Sequence, residues 1–116
     1  ALSKSVATSV CSQTSGGATG KTNPGFVNNL LADAGYYSTG EDTASGVVAR
    51  LRDWGWSESS YTGTCPDGAV LYYTGSGCSS YGTWLATCFD NKRYQWAISR
   101  CGSDVTISTT CKVIRP

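Results

Sequence analysis

Residues 23–35 of the chain read NPGFVNNLLADAG. Asn23 is a favourable helix cap, and Pro24 suits the first helical position because the N–H that proline lacks would have no partner there. Apolar side chains then recur at helical spacing until a glycine ends the pattern. The apolar positions are Phe26, Val27, Leu30, Leu31 and Ala34, and the glycine is Gly35. This stretch predicts the clearest helix of the chain.

A second helix is predicted from about Thr43 to Trp54. Asp42 or Thr43 caps its start, and Gly55 follows its end. Its apolar face consists of Val47, Val48, Leu51 and Trp54. The acidic residues that precede it suit the positive end of a helix dipole.

Beyond Cys65 the sequence changes to short runs rich in β-branched and aromatic residues, which favour strands. Asp90-Asn91-Lys92 has the composition of a hairpin turn. The predicted strands are Ala69–Thr74, Thr83–Phe89, Arg93–Ser99, Val105–Ser108 and Lys112–Ile114. Helices followed by strands with short connections predict an α+β fold: two helices packed on an antiparallel sheet of about five strands, stapled by disulfides.

The chain has six cysteines, an even number, and no Cys-x-x-Cys pair. They are Cys11, Cys65, Cys78, Cys88, Cys101 and Cys111. Three disulfides are expected, and the pairing stays open. Because the chain begins at Ala1 and lacks methionine, we expect a secreted, extracellular protein from which a signal peptide has been removed.

The 116 residues are expected to form a single secreted domain, 1–116. Residues 1–20 are rich in Ser, Thr and Gly and predict a loosely structured arm, anchored to the sheet by a disulfide of Cys11. The net charge is +1 and charged residues make up 15% of the chain. This composition lacks the basic field that attracts nucleic acids or anionic membranes, so we expect neither as a partner. The chain is also expected to be a monomer.

The sequence contains no histidine, which excludes Ser-His-Asp and Cys-His mechanisms and removes the commonest catalytic metal ligand. Paired cysteines offer no thiolate, and the glycines form neither a phosphate-binding loop nor a dinucleotide fingerprint. We therefore expect no metal and no cofactor. By elimination, carboxylates are the strongest remaining candidates, and glycoside hydrolysis needs only two of them.

Glu41, Asp42 and Glu58 are the candidate catalytic acids. They lie beside aromatic residues in segments rich in Gly, Ser and Thr. There, one acid could be partly desolvated and keep its proton while another stays ionised. The structural alternative is that Glu41 and Asp42 only cap a helix.

Four tryptophans and seven tyrosines supply flat faces on which sugar rings pack. Trp54, Trp56, Tyr81 and Trp84 are the candidate substrate-binding aromatics. The alternative is that these residues build the core, since alternation along strands buries about half of such side chains.

Several segments carry a resemblance to one family. GFVNNLLADAG, residues 25–35, resembles the active-site helix of the NlpC/P60 and CHAP families, which are papain-like hydrolases of bacterial cell walls. CPDGAVLYY, residues 65–73, resembles the Pro-Gly-Asp strand of that family, and residues 83–96 resemble its central hairpin. The resemblance spans roughly residues 22–99.

At the positions that resemble the catalytic residues of this family, the chain has Asn23 for the cysteine, Thr83 for the histidine and Gln95 for the third polar residue. Asparagine and threonine cannot form a thiolate-imidazolium pair. The resemblance therefore implies that the peptidase or amidase mechanism is lost, while a cleft lined by these three residues remains to bind substrate. The compact, aromatic-rich sequence is also similar to the catalytic cores of small secreted fungal muramidases.

These observations predict a secreted, peptidoglycan-active glycoside hydrolase of the muramidase type. Its partner would be a bacterial cell-wall glycan or a peptidoglycan fragment. One alternative is a non-catalytic cell-wall-binding or effector module on a degenerate papain-like fold. Another is a small antimicrobial toxin.

Overall fold

The computed structural model describes residues 2–14, 23–74, 83–95, 103–104 and 111–116. Within these residues, three helices precede six strands. The helices are α1 (Lys4–Thr14), α2 (Asn23–Asp33) and α3 (Ala44–Asp53). The strands are β1 (Ser57–Ser60), β2 (Val70–Thr74), β3 (Thr83–Phe89), β4 (Lys92–Gln95), β5 (Ser103–Asp104) and β6 (Lys112–Arg115).

These strands form one sheet in the order β1-β6-β2-β3-β4-β5. Each described pairing is antiparallel. The last strand, β6, lies between β1 and β2, so the final residues of the chain are built into the interior of the sheet. The predicted α+β class is confirmed. The described part of the chain has one more helix than expected, and the sheet has six strands instead of about five.

Both predicted helices and the central hairpin form where the sequence places them. α2 begins at Asn23, and Thr43 caps α3 by accepting the N–H of Gly46 on its hydroxyl oxygen at 3.0 Å. Asp90 and Asn91 have positive φ angles of 53° and 58°, as a type I′ hairpin turn requires. β3 has the predicted bounds.

The strand β1 was not predicted, because its sequence Ser-Glu-Ser-Ser has no apolar alternation and all four residues are exposed. Pairing with β6 forms it instead, with Glu58 opposite Ile114 in the register. The predicted strand Val105–Ser108 lies outside the described residues, as do the last residues of the predicted strand Arg93–Ser99.

The prediction of a loosely structured N-terminal arm is wrong for residues 2–14. This segment contains α1, and its residues Leu2, Ala7 and Val10 are buried in the core. The Ser- and Thr-rich composition concealed an apolar pair one helical turn apart, Ala7 and Val10. Ser3 stabilises the first turn, since its hydroxyl oxygen accepts the backbone N–H of Val6 at 3.2 Å.

The sheet separates two cores. The larger core lies between the sheet and the helices, and the smaller one lies on the opposite face, beneath residues 61–69. Side chains alternate between the faces of a strand, so Val70 enters the larger core and Leu71 the smaller one. The smaller core contains the disulfide between Cys65 and Cys88, whose Cα atoms are 6.1 Å apart.

This bond confirms that the chain carries a disulfide. Cys111 is also disulfide-bonded. Cys78, Cys101 and the side chain of Cys11 lie outside the described part of the chain, so the expected disulfide anchor at Cys11 stays a prediction.

Gly68 is the point at which the N-terminal segment contacts the loop that covers the smaller core. Its φ is +83°, and a Cβ at this position would lie 2.9 Å from the carbonyl oxygen of Leu2. Gly63 in the same loop has a φ of +113°, but a Cβ there would have no atom within 4 Å. Comparing substitutions at the two glycines therefore separates the cost of backbone strain from the cost of a steric clash.

Gly68→Ala is expected to destabilise the protein by about 2 kcal/mol or more, because the strain of a positive φ adds to the displacement of Leu2. Gly63→Ala, the matched control, adds strain alone and should have the smaller effect. Urea unfolding measures both free energies. Equal losses in the two variants would contradict a specific contact between Gly68 and the N-terminal segment.

Candidate functional site

A groove lined by aromatic side chains opens where α2 and α3 both end. Its volume is about 540 Å³, within the range of small-ligand sites. It is lined by Gly35, Tyr36, Tyr37, Trp54 and Trp56, and we call these five residues the aromatic groove. Its surface is mostly apolar.

Two helix ends with the same sequence pattern build the aromatic groove. α2 ends in LADAGY, residues 31–36, and α3 ends in LRDWGW, residues 51–56. Both segments follow the pattern Leu-x-Asp-x-Gly-aromatic. The glycines have positive φ angles, 95° at Gly35 and 86° at Gly55, which is the conformation that ends a helix and turns the chain away.

Each of the two ends is a Schellman motif. Tyr36 donates its backbone N–H to the carbonyl oxygen of Leu31, and Trp56 donates to that of Leu51, at 3.0 Å in both cases. In this motif the residue after the glycine packs back toward its own helix. The two aromatic side chains are therefore placed by the backbone of the helix ends.

The rings of the aromatic groove contact one another edge to face. The ring centroids of Tyr36 and Trp56 are 5.1 Å apart, and those of Trp54 and Trp56 are 6.4 Å apart. Trp56 is 8% exposed, whereas Trp54 is 36% and Tyr37 81% exposed. Trp56 thus forms a packed floor, and the two exposed rings form accessible walls.

The loop of residues 36–42, which carries one wall of the groove, is fixed by a buried side chain of α2. Asn28 donates its Nδ2–H to the carbonyl oxygen of Glu41 at 2.7 Å. Its Oδ1 accepts both the backbone N–H and the hydroxyl of Thr39. Sequence analysis did not single out Asn28, although an asparagine between the apolar residues Val27 and Leu31 is the pattern of a buried polar contact.

An ion pair spans the turn that carries Trp54 and Trp56. Arg52 Nε donates to Glu58 Oε2 at 2.6 Å, and Arg52 Nη2 donates to Glu58 Oε1 at 2.9 Å. These hydrogen bonds, with a smaller contribution from the charge of Lys112, lower the pKa of Glu58 against the opposing effect of partial burial. Glu58 is therefore ionised at neutral pH and does not suit the role of proton donor.

The structure places the predicted catalytic acids in different surroundings. Glu41 Oε2 lies 4.0 Å from Arg50 Nε, whereas Glu58 binds Arg52. Residues 50 and 52 are about 200° apart around a helix axis, so the two glutamates approach α3 from different sides. Asp42 is exposed and precedes the N-cap of α3. A catalytic role for these three acids stays a prediction.

The three positions that resemble papain-like catalytic residues lie on adjacent elements. Asn23 starts α2 beside β3, Thr83 is the first residue of β3, and Gln95 of β4 pairs with Ala86 of β3. The side chains of Thr83 and Gln95 lie outside the described part of the structure.

Asn23 has a structural role in place of the expected role in substrate binding. It is 5% exposed. Its Nδ2–H is donated to the carbonyl oxygen of Leu85, and its Oδ1 accepts the N–H of Leu85, both at 2.8 Å. The side-chain amide therefore pairs with the backbone of β3 as a neighbouring strand would.

Of the aromatic residues predicted to bind substrate, Trp54 and Trp56 lie in the aromatic groove. Trp84 packs against the smaller core on the opposite face of the sheet. Tyr81 lies outside the described residues. Trp54 and Trp56 are thus the members of this set that the structure brings together.

Sequence analysis missed Tyr36 and Tyr37. The signal for Tyr36 was the glycine that ends the first predicted helix, because the residue after such a glycine is turned back onto the helix; Tyr37 had no such signal. The same signal at Gly55 precedes Trp56. Comparing the two helix ends would have placed Tyr36 and Trp56 in equivalent positions.

No protein-family model, curated protein or solved structure matches the chain. Among the described residues, no cluster of His, Cys, Asp or Glu is arranged to hold a metal ion. No helix in that part of the chain is long and apolar enough to cross a membrane. A proposal on function therefore rests on the chemistry of the aromatic groove and its surroundings.

Asn23→Ala is expected to destabilise the protein by about 2 kcal/mol or more, because it leaves the buried N–H and C=O of Leu85 without their partners. Urea unfolding followed by tryptophan fluorescence measures the loss. Ser59→Ala on the exposed edge strand β1 is the control and should change the free energy of unfolding by less than about 0.5 kcal/mol. A similarly small effect of Asn23→Ala would contradict the structural role.

The Arg52–Glu58 pair is expected to add less than about 1 kcal/mol to stability at neutral pH, because Arg52 is half exposed. The pKa of Glu58 is lower in the folded protein than its ordinary value of 4.5. The contribution is therefore complete above that ordinary value and is lost as the pH falls through the lower folded-state pKa.

Thermal unfolding across this pH range should show a stability difference between wild type and Glu58→Gln at neutral pH that disappears in acid. Glu41→Gln is the matched control, since its pair with Arg50 is longer and more exposed, and its difference should be smaller. A difference for Glu58→Gln that does not vary with pH would assign the effect to packing instead of charge.

Proposed function

We propose that this protein binds glycan strands of the bacterial cell wall through the aromatic groove, as a secreted, non-catalytic module. One observation carries the proposal: the exposed side chains of Tyr37 and Trp54 line the same groove as the packed ring of Trp56. A concave, mostly apolar surface lined by aromatic side chains is typical of small-ligand sites. The Cys65–Cys88 disulfide is compatible with the extracellular setting.

Sugars suit such a groove because pyranose rings present flat faces of C–H groups that pack on aromatic rings. The hydroxyl groups at the ring edges stay in water when the groove is open. Tyrosine and tryptophan anchors also lose little conformational entropy on binding. The ion pair of Arg52 and Glu58 spans the turn of Trp54 and Trp56 and so preserves the shape of the groove before the ligand arrives.

Cell-wall glycans carry an amino group, usually acetylated, on each sugar. The methyl group of an acetamido substituent adds apolar surface that can pack on the exposed part of Trp54. The terminal carbonyl groups of α2 and α3 are occupied by the Schellman hydrogen bonds, so the groove contacts the sugar mainly through its apolar, aromatic lining.

Hydrolysis of the same glycan by a muramidase mechanism is a second candidate, favoured by Glu58. This residue follows Trp56 by two positions in an extended segment, so both side chains lie on the same side of the chain. Its lowered pKa suits a carboxylate that stabilises positive charge on the sugar carbon. A muramidase would need a proton donor other than Glu58.

Trp54→Ala and Tyr37→Ala are each expected to weaken binding of soluble peptidoglycan oligosaccharides roughly 5- to 30-fold, which corresponds to about 1–2 kcal/mol for one stacked ring. Isothermal titration calorimetry measures the affinity. Tyr37 is 81% exposed, so Tyr37→Ala should keep the stability of the wild type. Trp54→Ala also removes the ring contact with Trp56 and is expected to lose about 1 kcal/mol of stability, so its affinity is measured under conditions in which urea unfolding shows it to be folded.

Trp84→Ala is the control, because Trp84 packs on the opposite face of the sheet, and its affinity should equal that of the wild type. Unchanged affinity in Trp54→Ala would refute the proposed site. Incubation of wild type and Glu58→Gln with purified cell walls separates the two candidates. Reducing ends released by the wild type alone would support the muramidase, and binding without release would support the module.

A further inference from the structure

We infer that the aromatic groove prefers amino sugars with a free, protonated amine, so that its preferred ligand is a de-N-acetylated stretch of cell-wall glycan. The inference rests on the proposed function and adds the charge of the ligand to it. It is carried by two carboxylates that the stability of the fold does not explain.

Asp33 and Asp53 occupy equivalent positions in the two helix ends, two residues before Gly35 and Gly55. Both are exposed, and neither carboxylate makes an ion pair with a described residue. An acidic side chain in the last turn of a helix is unfavourable, because the C-terminal end of the helix dipole is already negative. The sequence places this unfavourable residue in the last turn of both helices, directly before the residues that line the groove.

The helix ends themselves add to the negative potential. Each helix C-terminus is equivalent to roughly half of a negative elementary charge, and α2 and α3 end at the same groove. The faces of the aromatic rings are also negative, which attracts cations. The helix ends, the carboxylates and the faces of the aromatic rings therefore all favour a positively charged ligand.

The basic side chains of α3 do not cancel this potential. Arg52 is bound by Glu58 in a bidentate ion pair, and Arg50 lies against Glu41. The positive charge of Lys112 lowers the pKa of Glu58, which lies in β1, after the turn. A protonated amine on the sugar would supply the missing cation, whereas an acetamido group at the same carbon is neutral.

The test compares glucosamine tetrasaccharide with N-acetylglucosamine tetrasaccharide at mildly acidic pH, where the amines of the sugar are protonated. The glucosamine oligomer should bind the wild type roughly 5- to 30-fold more tightly. Peptidoglycan fragments should bind more tightly after chemical de-N-acetylation than before it. Tetramethylammonium should quench tryptophan fluorescence at concentrations at which neutral tert-butanol does not.

Asp33→Asn and Asp53→Asn should each reduce the preference without loss of stability, because they remove an unfavourable charge from a helix end. Asp42→Asn is the matched control: it removes one charge at the opposite end of α3 and should leave the preference unchanged. An equal reduction in all three variants would assign the effect to net charge and overturn the inference.

The two proposals fail in different ways. Equal or tighter binding of the N-acetylated oligomer overturns the amine preference and leaves the glycan-binding function intact. If neither oligomer nor intact cell walls bind the wild type, both proposals fall. Both proposals are supported if Trp54→Ala binds neither oligomer while Asp53→Asn still binds both and loses only the preference for the glucosamine oligomer.

Discussion

The contact between Tyr36 and Trp56 connects the ends of two helices that are separated along the chain. It depends on Gly35 and Gly55, whose positive φ angles direct the next residue back toward its helix. At its other end, α2 is fixed to β3 by Asn23. With both ends held, the apolar face of α2 is aligned with the sheet, and the larger core forms around it.

Buried amides carry much of this positioning. Asn23 pairs with the backbone of β3, and Asn28 holds the loop that contains Thr39 and Glu41. A buried amide whose donor and acceptor are both used rigidifies its surroundings and leaves little capacity for a ligand. The N-terminal end of α2, where the sequence analysis expected a substrate-binding Asn23, is thus used for architecture, and the proposed binding groove lies at the opposite end of the same helix.

The helices, the central hairpin and its turn were predictable because their signals are local: a capping residue, a helical period, a glycine stop and an Asp90-Asn91 turn. β1 and α1 were missed because their sequences are dominated by serine and threonine, and tertiary contacts form them. The groove was half predictable. Trp54 and Trp56 were recognisable as aromatic candidates, but their meeting with Tyr36 depends on the relative placement of α2 and α3, which no local pattern encodes.

The two proposed functions, glycan binding and glycan hydrolysis, place different requirements on the carboxylates. Negative potential at the helix ends would stabilise the positive charge of an oxocarbenium-like transition state as well as a bound amine. Hydrolysis also requires an acid that keeps its proton at working pH, and such an acid needs burial away from cations. Glu58 is held ionised by Arg52, and Asp33 and Asp53 are exposed. The proposed preference for a cationic ligand uses this negative potential alone, whereas hydrolysis would also need a proton donor other than Glu58.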